Sequence, residues 1–459
     1  MKKLCSLILS ACFLMMFAAC GNNSEDPNKV PGGEEEIVYP VYEDDKEVFL
    51  SAYMSPWKTD EEQYRWVKGS GLNHLYISHS SNAETMAAAI AACENVGVYT
   101  IPMTNWGRPV SESTSYKAYP VDMKGHEYFS GFNILDEPRY EDFDYLASEY
   151  QKYKVDFPDK VFYTNLFRPG NNKSGLSDSG SVTYDTYIKD FVEKVIDPIE
   201  GKKIMSMTLY PLLIDSVTKE KSIQNTHLTD LGKFAVTTKA AGATMYHFVQ
   251  TISFGSQHHA PTEADIRFQV YCGRAFGSKG FQYFTYATPN INHEFSANDV
   301  GMISRNNTRT AIYYGVQAVN KELSAFDNVF LSFEWENIML IDGELSETVA
   351  PGFELYRSND SFPLTESTET LKSAQCSRDT LIGVMKDANG NDGYTVVNYT
   401  HPSYGLKDEI ALEFSGCRAL SVYVGGKEQR IEAGSENFRN GIFTADLAPG
   451  EGIFVIPVE

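Results

Sequence analysis

From residue 48 to about residue 325, short apolar runs alternate with longer stretches whose apolar residues recur every three or four positions. The runs 49–54, 72–78, 98–103, 129–135, 161–166, 203–209, 243–249 and 281–286 have the length and the β-branched and aromatic content of strands buried on both faces. The stretches 59–68, 84–95, 140–153, 184–195, 228–240, 262–276 and 308–323 each pair an apolar stripe with a polar face and read as helices. Thr59 followed by Glu62 is a capping signature, and Gly97 marks a helix end. Eight rounds in roughly 240 residues predict a (β/α)8 barrel, whose usual length is about 250. A doubly wound open sheet is the alternative. It favours a glycine-rich phosphate loop after the first strand, where the chain reads Met54-Ser55-Pro56-Trp57-Lys58.

After about Ala325 the helical period disappears. The runs 330–335, 381–385, 394–399, 410–414, 420–424 and 452–456 read as strands, and the turn-rich segment 387–393 sits between two of them in hairpin fashion. The expected organisation is a barrel over residues 37–325 followed by an antiparallel β-sandwich over 326–459.

Ahead of the barrel, residues 1–19 carry two lysines, an apolar core too short to span a membrane and small residues before Cys20, the pattern of a secretory signal peptide. Phe17-Ala18-Ala19-Cys20-Gly21 resembles a bacterial lipobox, which implies a lipid anchor on Cys20. Residues 21–36 are rich in Asn, Ser, Asp, Pro, Gly and Glu and read as a tether. Glu25 and Asp26 resemble the surface-export signals of Bacteroidetes lipoproteins, so the expected location is the outer membrane, facing the cell exterior, with a periplasm-facing anchor as the alternative. The chain of 459 residues has a formal charge of −22, which argues against nucleic acid as a partner and suits a neutral ligand. Four cysteines remain past Cys20, and none has metal-ligand spacing; Cys376 and Cys417 could pair or stay as thiols.

In a barrel the chemistry gathers at the C-terminal ends of the strands. Those ends supply Tyr53 and Trp57, then His79, then Asn105 and Trp106, and from the fourth strand Asp136 and Glu137 before Pro138. Later ends supply Asn165, Tyr210, Asp215, His247, Gln250, Tyr286 and Glu294. Aromatic rings stack on the apolar faces of sugar rings, amides and imidazoles bind hydroxyls, and carboxylates move protons, so the inventory suits a carbohydrate substrate and calls for no cofactor. His258-His259 lacks a third ligand at helical spacing, so no metal is expected. No Gly-x-Ser-x-Gly elbow occurs.

The Asp136-Glu137-Pro138 strand end, the segments 249–269 and 277–286, and the tail segments 381–398 and 447–452 together resemble bacterial glycoside hydrolases that carry a TIM barrel with an Asp-Glu-Pro fourth strand and a C-terminal β-sandwich. The resemblance implies hydrolysis of O-glycosidic bonds with Glu137 as general acid/base. Two departures stand out. The large retaining barrel clan has Asn before its acid/base, where this chain has Asp136, and a nucleophilic Glu at the end of strand seven, where it reads His247-Phe248-Val249-Gln250. The second carboxylate is open among Asp215, Glu263 and Glu294, with Glu263 placed in the first turn of a helix. The rival reading is a non-catalytic glycan-binding lipoprotein on the same barrel.

Overall fold

The computed structural model describes residues 37–77, 82–104, 110, 114–346 and 350–459. The lipobox and tether, His79, and Asn105 with Trp106 lie outside them. Residues Tyr39–Glu459 form one compact unit.

Its first part alternates parallel strands with helices. The strands are β1 (Phe49–Ala52), β2 (His74–Ile77), β3 (Tyr99–Pro102), β4 (Gly131–Asn133), β5 (Val161–Tyr163), β6 (Asn165–Leu166), β7 (Ile204–Met207), a small hairpin β8 (Leu212–Ile214) and β9 (Lys221–Ile223), β10 (Thr244–Gln250) and β11 (Gly280–Phe284). The helices are α1 (Glu61–Gly69), α2 (Ala83–Val96), α3 (Phe143–Asp156), α4 (Tyr184–Phe191), α5 (His227–Ala240), α6 (Glu263–Ala275) and α7 (Ala311–Ser324). Seven strands make a curled parallel sheet in the order β3-β2-β1-β11-β10-β7-β6. β4 and β5 pair in parallel, and β4 is bridged to β3 through Thr100–Phe129 and Met103–Asn133.

Side chains alternate across this sheet, as the two-residue period requires. Leu50, Ala52, Leu75, Ile77, Met205, Met207, Phe281 and Tyr283 join the large core beneath the helices. Phe49, Tyr53, Tyr76, Tyr163, Ile204, Tyr246 and Phe248 form a second cluster on the opposite, inner face. Both faces are therefore dry, which is why the strands read as continuous apolar runs. Gly280 is required on the inner face, because a Cβ there would stand 2.3 Å from the Tyr246 ring.

The cap of α1 lies one residue past the expected Thr59: Asp60 accepts from the Gln63 amide at 3.1 Å. Glu263 does stand in the first turn of α6, paired with Arg267 at 2.7 Å.

The second part is antiparallel. A six-stranded sheet runs β12 (Phe333–Ile341), β14 (Thr380–Asp387), β15 (Asp392–Asn398), β21 (Gly452–Val458), β17 (Ala419–Val424), β18 (Lys427–Glu432); a four-stranded one runs β13 (Leu371–Cys376), β16 (Asp408–Phe414), β20 (Ile442–Leu447), β19 (Phe438–Arg439). Residues of both sheets share one apolar cluster that includes Ile382, Val396, Leu412, Phe443 and Val455. The expected 387–393 turn joins β14 to β15, whereas the expected strand at 330 begins only at Phe333, after a helical turn at Asp327–Phe330. Cys93, Cys272, Cys376 and Cys417 are all free thiols.

Candidate functional site

The end of β4 is held in an unusual backbone path. Leu135 (φ 60°) and Glu137 (φ 48°) both lie in the left-handed region, as does Met54 (φ 68°) at the end of β1. Side-chain-bearing residues avoid this region, and such outliers concentrate at functional sites. Neighbouring strands pin the path. The Leu135 amide donates to Thr104 Oγ1 at 3.2 Å, Thr164 Oγ1 donates to the Ile134 carbonyl at 2.7 Å, and the Glu137 amide donates to the Asn165 carbonyl at 2.9 Å. Tyr187 closes the turn by donating to the Pro138 carbonyl at 2.8 Å.

This path sets Asp136 and Glu137 side by side, both half-buried. Thr208, just past β7, donates to Glu137 Oε1 at 2.6 Å, and Tyr53 donates to Asp136 Oδ2 at 3.5 Å. Burial pushes the Asp136 carboxyl up, and the adjacent Glu137 charge adds to the effect. Burial also raises Glu137, the Thr208 hydrogen bond works against that rise, and the charge of Glu294 adds to it. Two adjacent carboxyls in a poorly solvated site resist ionising together, so the pair keeps a proton to higher pH than either acid would alone.

Glu294 stands on the loop after β11, its carbonyl accepting from the Gly255 amide at 2.9 Å. Glu294 is exposed as a residue, and the partial desolvation of its carboxyl raises it. Tyr210 lies among all three acids, which together with burial hold its hydroxyl protonated well above the usual range. Its ring packs 5.2 Å from Phe284 and 5.3 Å from Phe254. Phe254 in turn stacks on His258 at 4.2 Å. The acids therefore face a half-exposed aromatic wall of Tyr210, Phe254, Phe284 and His258.

Other expected site residues are placed elsewhere. His247 points away from the inner face: it is 1% exposed, its Nδ1 is 3.0 Å from Ser278 Oγ, and it fits against α6 only because residue 273 is glycine. Tyr286 is also buried beneath the helices, its hydroxyl donating to the Gln63 carbonyl at 3.4 Å. Asp215 is exposed and caps its own turn through the Val217 and Thr218 amides. Gln250 faces inward, but its Nε2 donates to the His259 carbonyl at 2.8 Å and so ties down the following loop. Asn165 is spent on its neighbours, accepting from Ser206 Oγ at 2.9 Å and donating to Thr208 Oγ1 at 2.8 Å. Trp57 is half-buried with its indole N–H donated to the Thr288 carbonyl at 3.0 Å. Thr208, Phe254 and Phe284 were not expected. Counting by twos along β7 and β11 would have found Thr208 after Ile204 and Ser206, and Phe284 after Gly280 and Gln282.

Among the described residues, His259, Asp265 and His401 bring potential metal-ligand atoms within 4.8 Å of one another. Their hydrogen bonds can be satisfied without an ion. His401 Nδ1 accepts from the Ser403 amide at 3.1 Å, which leaves its proton on Nε2 for His259 Nε2 at 3.2 Å. His259 Nδ1 then donates to the Ala260 carbonyl at 3.0 Å, and Asp265 Oδ2 caps α6. A lone pair for a metal is left on neither ring, although Asp265 Oδ1 is buried without a protein partner.

No family model matches the sequence, and no curated protein does. Solved structures with some likeness include glycoside hydrolases. A family 5 glycoside hydrolase from Bacteroides vulgatus aligns at TM-score 0.42 and 10% identity over 89% of each chain. The endo-β-1,4-mannanase of Thermotoga petrophila aligns at TM-score 0.40 and 9% identity, covering 84% of this chain and 97% of its own. A family 30 xylanase from Clostridium acetobutylicum aligns at TM-score 0.35 and 10% identity, covering 90% and 95%. Likeness of this degree leaves the activity to be argued from the residues themselves.

Proposed function

We propose that this chain is a glycoside hydrolase that cleaves O-glycosidic bonds of an oligo- or polysaccharide, with Glu137 as general acid/base. One observation carries the reading: a half-buried glutamate on a strained strand end, its carboxyl raised by burial and by a second glutamate, opposite a wall of aromatic rings. A general acid must hold its proton near working pH and release it to the glycosidic oxygen in the transition state, and burial beside like charge is the means. Tyr210, Phe254 and Phe284 offer ring faces to a sugar, and their partial exposure leaves room for one. Glu294 is the second carboxylate in this proposal, since its charge acts on Glu137 and Asp215 is far from the strand-end chemistry in kind, being an exposed turn cap.

The fold in this proposal is a closed (β/α)8 barrel followed by a β-sandwich. The β3–β4 bridges, the β4–β5 pair and the single residue between β5 and β6 support closure, and the cluster shared by the two antiparallel sheets supports the sandwich. The anchor on Cys20 and outer-membrane display follow from the lipobox alone and belong to the same proposal. Sugar release from a panel of plant, microbial and host glycans, by the chain from residue 36 onward and its Glu137→Gln variant, tests the function. Release by the parent and not by the variant is expected. Binding of one glycan by both without release would favour the glycan-binding reading, for which the absence of a glutamate at the end of β10 speaks.

A further inference from the structure

A continuous row of side-chain hydrogen bonds crosses the inner face of the parallel sheet and ends on Glu137. The Tyr76 and Tyr163 hydroxyls both donate to Gln282 Oε1. Gln282 Nε2 donates to Ser206 Oγ at 2.7 Å, Ser206 Oγ to Asn165 Oδ1 at 2.9 Å, Asn165 Nδ2 to Thr208 Oγ1 at 2.8 Å, and Thr208 Oγ1 to Glu137 Oε1 at 2.6 Å. Gln282 and Ser206 have no exposed surface and Asn165 is 3% exposed, so water cannot replace any of these three, whereas Thr208 and Glu137 are half-buried. Every bond in the row points toward the carboxyl.

A row of hydroxyls and amides can run either way, so something must set its sense. Gln282 does this, because the Tyr76 and Tyr163 hydroxyls, 0% and 3% exposed, both give their hydrogens to its Oε1, which leaves Nε2 for Ser206. Ser206 must then donate to Asn165, and Thr208 must accept from it. The single Thr208 hydrogen is left for Glu137.

We propose that Asn165 and Thr208 are positioning residues that make Glu137 Oε1 a fixed acceptor, so that the proton Glu137 transfers is carried on Oε2. This rests on the reading of Glu137 as acid/base. In the bond-breaking step the Oε2 proton passes to the glycosidic oxygen as the C–O bond breaks and the Glu294 carboxylate bonds to the sugar carbon; in the return step a water gives a proton back to Oε2 as its oxygen bonds to that carbon and the ester bond to Glu294 breaks. Reversing the row would take the Gln282 acceptor from both buried tyrosine hydroxyls, so the row orients the acid and does not conduct its proton.

The test uses the chain from residue 36 onward and its Thr208→Val and Thr208→Ser variants, all checked for an unchanged circular-dichroism melt. The Glu137 carboxyl is titrated by 13C NMR on side-chain-labelled glutamate and assigned by the signal that Glu137→Gln removes. Losing a donor to the charged form should raise the Glu137 titration by about one pH unit in Thr208→Val. Thr208→Ser should restore it. On any glycan the parent hydrolyses, Thr208→Val should lower kcat roughly tenfold with KM little changed, and shift the pH profile in parallel with the titration. A Glu137 titration unmoved by Thr208→Val overturns the proposal, whatever the activity. A shifted titration in a protein that releases no sugar leaves the row standing and removes the hydrolase reading.

Discussion

Where β1, β2 and β10 begin, the inner face of the parallel sheet is filled by rings: Phe49 lies 4.5 Å from Tyr246 in a stacked arrangement and 4.3 Å from His74. Where β4, β6 and β7 finish, the same face carries Asp136 beside Glu137, with Glu137 on left-handed backbone and joined by hydrogen bonds through Thr208 to Asn165. The ring-filled end encloses a cavity of about 100 Å³ among Phe49, His74, Lys202 and Tyr246, none of it touching the paired acids. One end gains from dispersion and area burial, which tolerate small shifts. The other holds charge where charge is costly: donors are placed on Glu137 Oε1 and Asp136 Oδ2, while Asp136 Oδ1 is buried without a protein partner. The contrast says that stability and chemistry are separated along the strand axis, and mutations at the two ends should therefore produce different kinds of loss.

The sharpest break should come from Glu137→Gln, which keeps the shape and the Thr208 hydrogen bond but removes the transferable proton. Glycan hydrolysis should fall about 10²- to 10⁴-fold while the melting temperature stays close to the parent's. Steady-state kinetics with a thermal melt on the same sample checks it; equal activity in both proteins would remove Glu137 from the chemistry. Glu294→Gln should cost about 10²-fold in kcat if it is the second carboxylate. Its negative charge also helps keep the proton on Glu137, so the alkaline limb of the pH–rate profile should move to lower pH. A full profile that shows neither change would leave Glu294 as an exposed loop acid.

At the opposite end, Phe49→Ala should lower the unfolding free energy by about 3–5 kcal/mol, because it opens a void between the Tyr246 and His74 rings. The pH–rate profile should keep its shape. Urea unfolding and the profile measured together decide it, and a displaced profile would show that the two ends are not separable.

Most strands of the parallel sheet were legible because burial on both faces leaves an uninterrupted apolar signature, and Asp136-Glu137-Pro138 stood out against it. The strands that escaped notice are exposed or short: β18 is exposed at five of its six positions, β13 and β20 each bury two of six, β8 and β9 are three residues each and β19 is two. For the site, the sequence places a residue near a strand end but does not say which face it takes, and that is decided by parity with the neighbours. His247 and Tyr286 fail on that count, while Tyr210 and Glu294 come beside Glu137. Asn165, Gln250 and Trp57 fail for another reason. They sit near the acids or the adjoining loops, but their polar atoms are consumed by other protein groups, a fact of hydrogen-bond accounting that no spacing reveals.

The smallest effect separates the faces of the sheet instead of its ends. His247 on the outer face and His227 on α5 are each 1% exposed, and burial holds both imidazoles neutral down to about 3. In the unfolded chain an imidazole takes its proton near pH 6.5, so below that the unfolded state binds more protons than the folded one. The folded state is therefore favoured in full above about pH 6.5, and the advantage is lost progressively as the pH falls from there toward 3. One histidine contributes a slope of about 1.4 kcal/mol per pH unit across that window. His247→Asn keeps a polar partner for Ser278 but cannot titrate, so its urea-unfolding free energy should fall less steeply between pH 6 and 4 than the parent's, by about that slope. The two slopes are compared instead of the absolute stabilities, because the substitution also changes packing against Gly273. Parallel slopes would mean that His247 reaches water in the folded state and that the outer face of β10 is less dry than the packing of α6 against it implies.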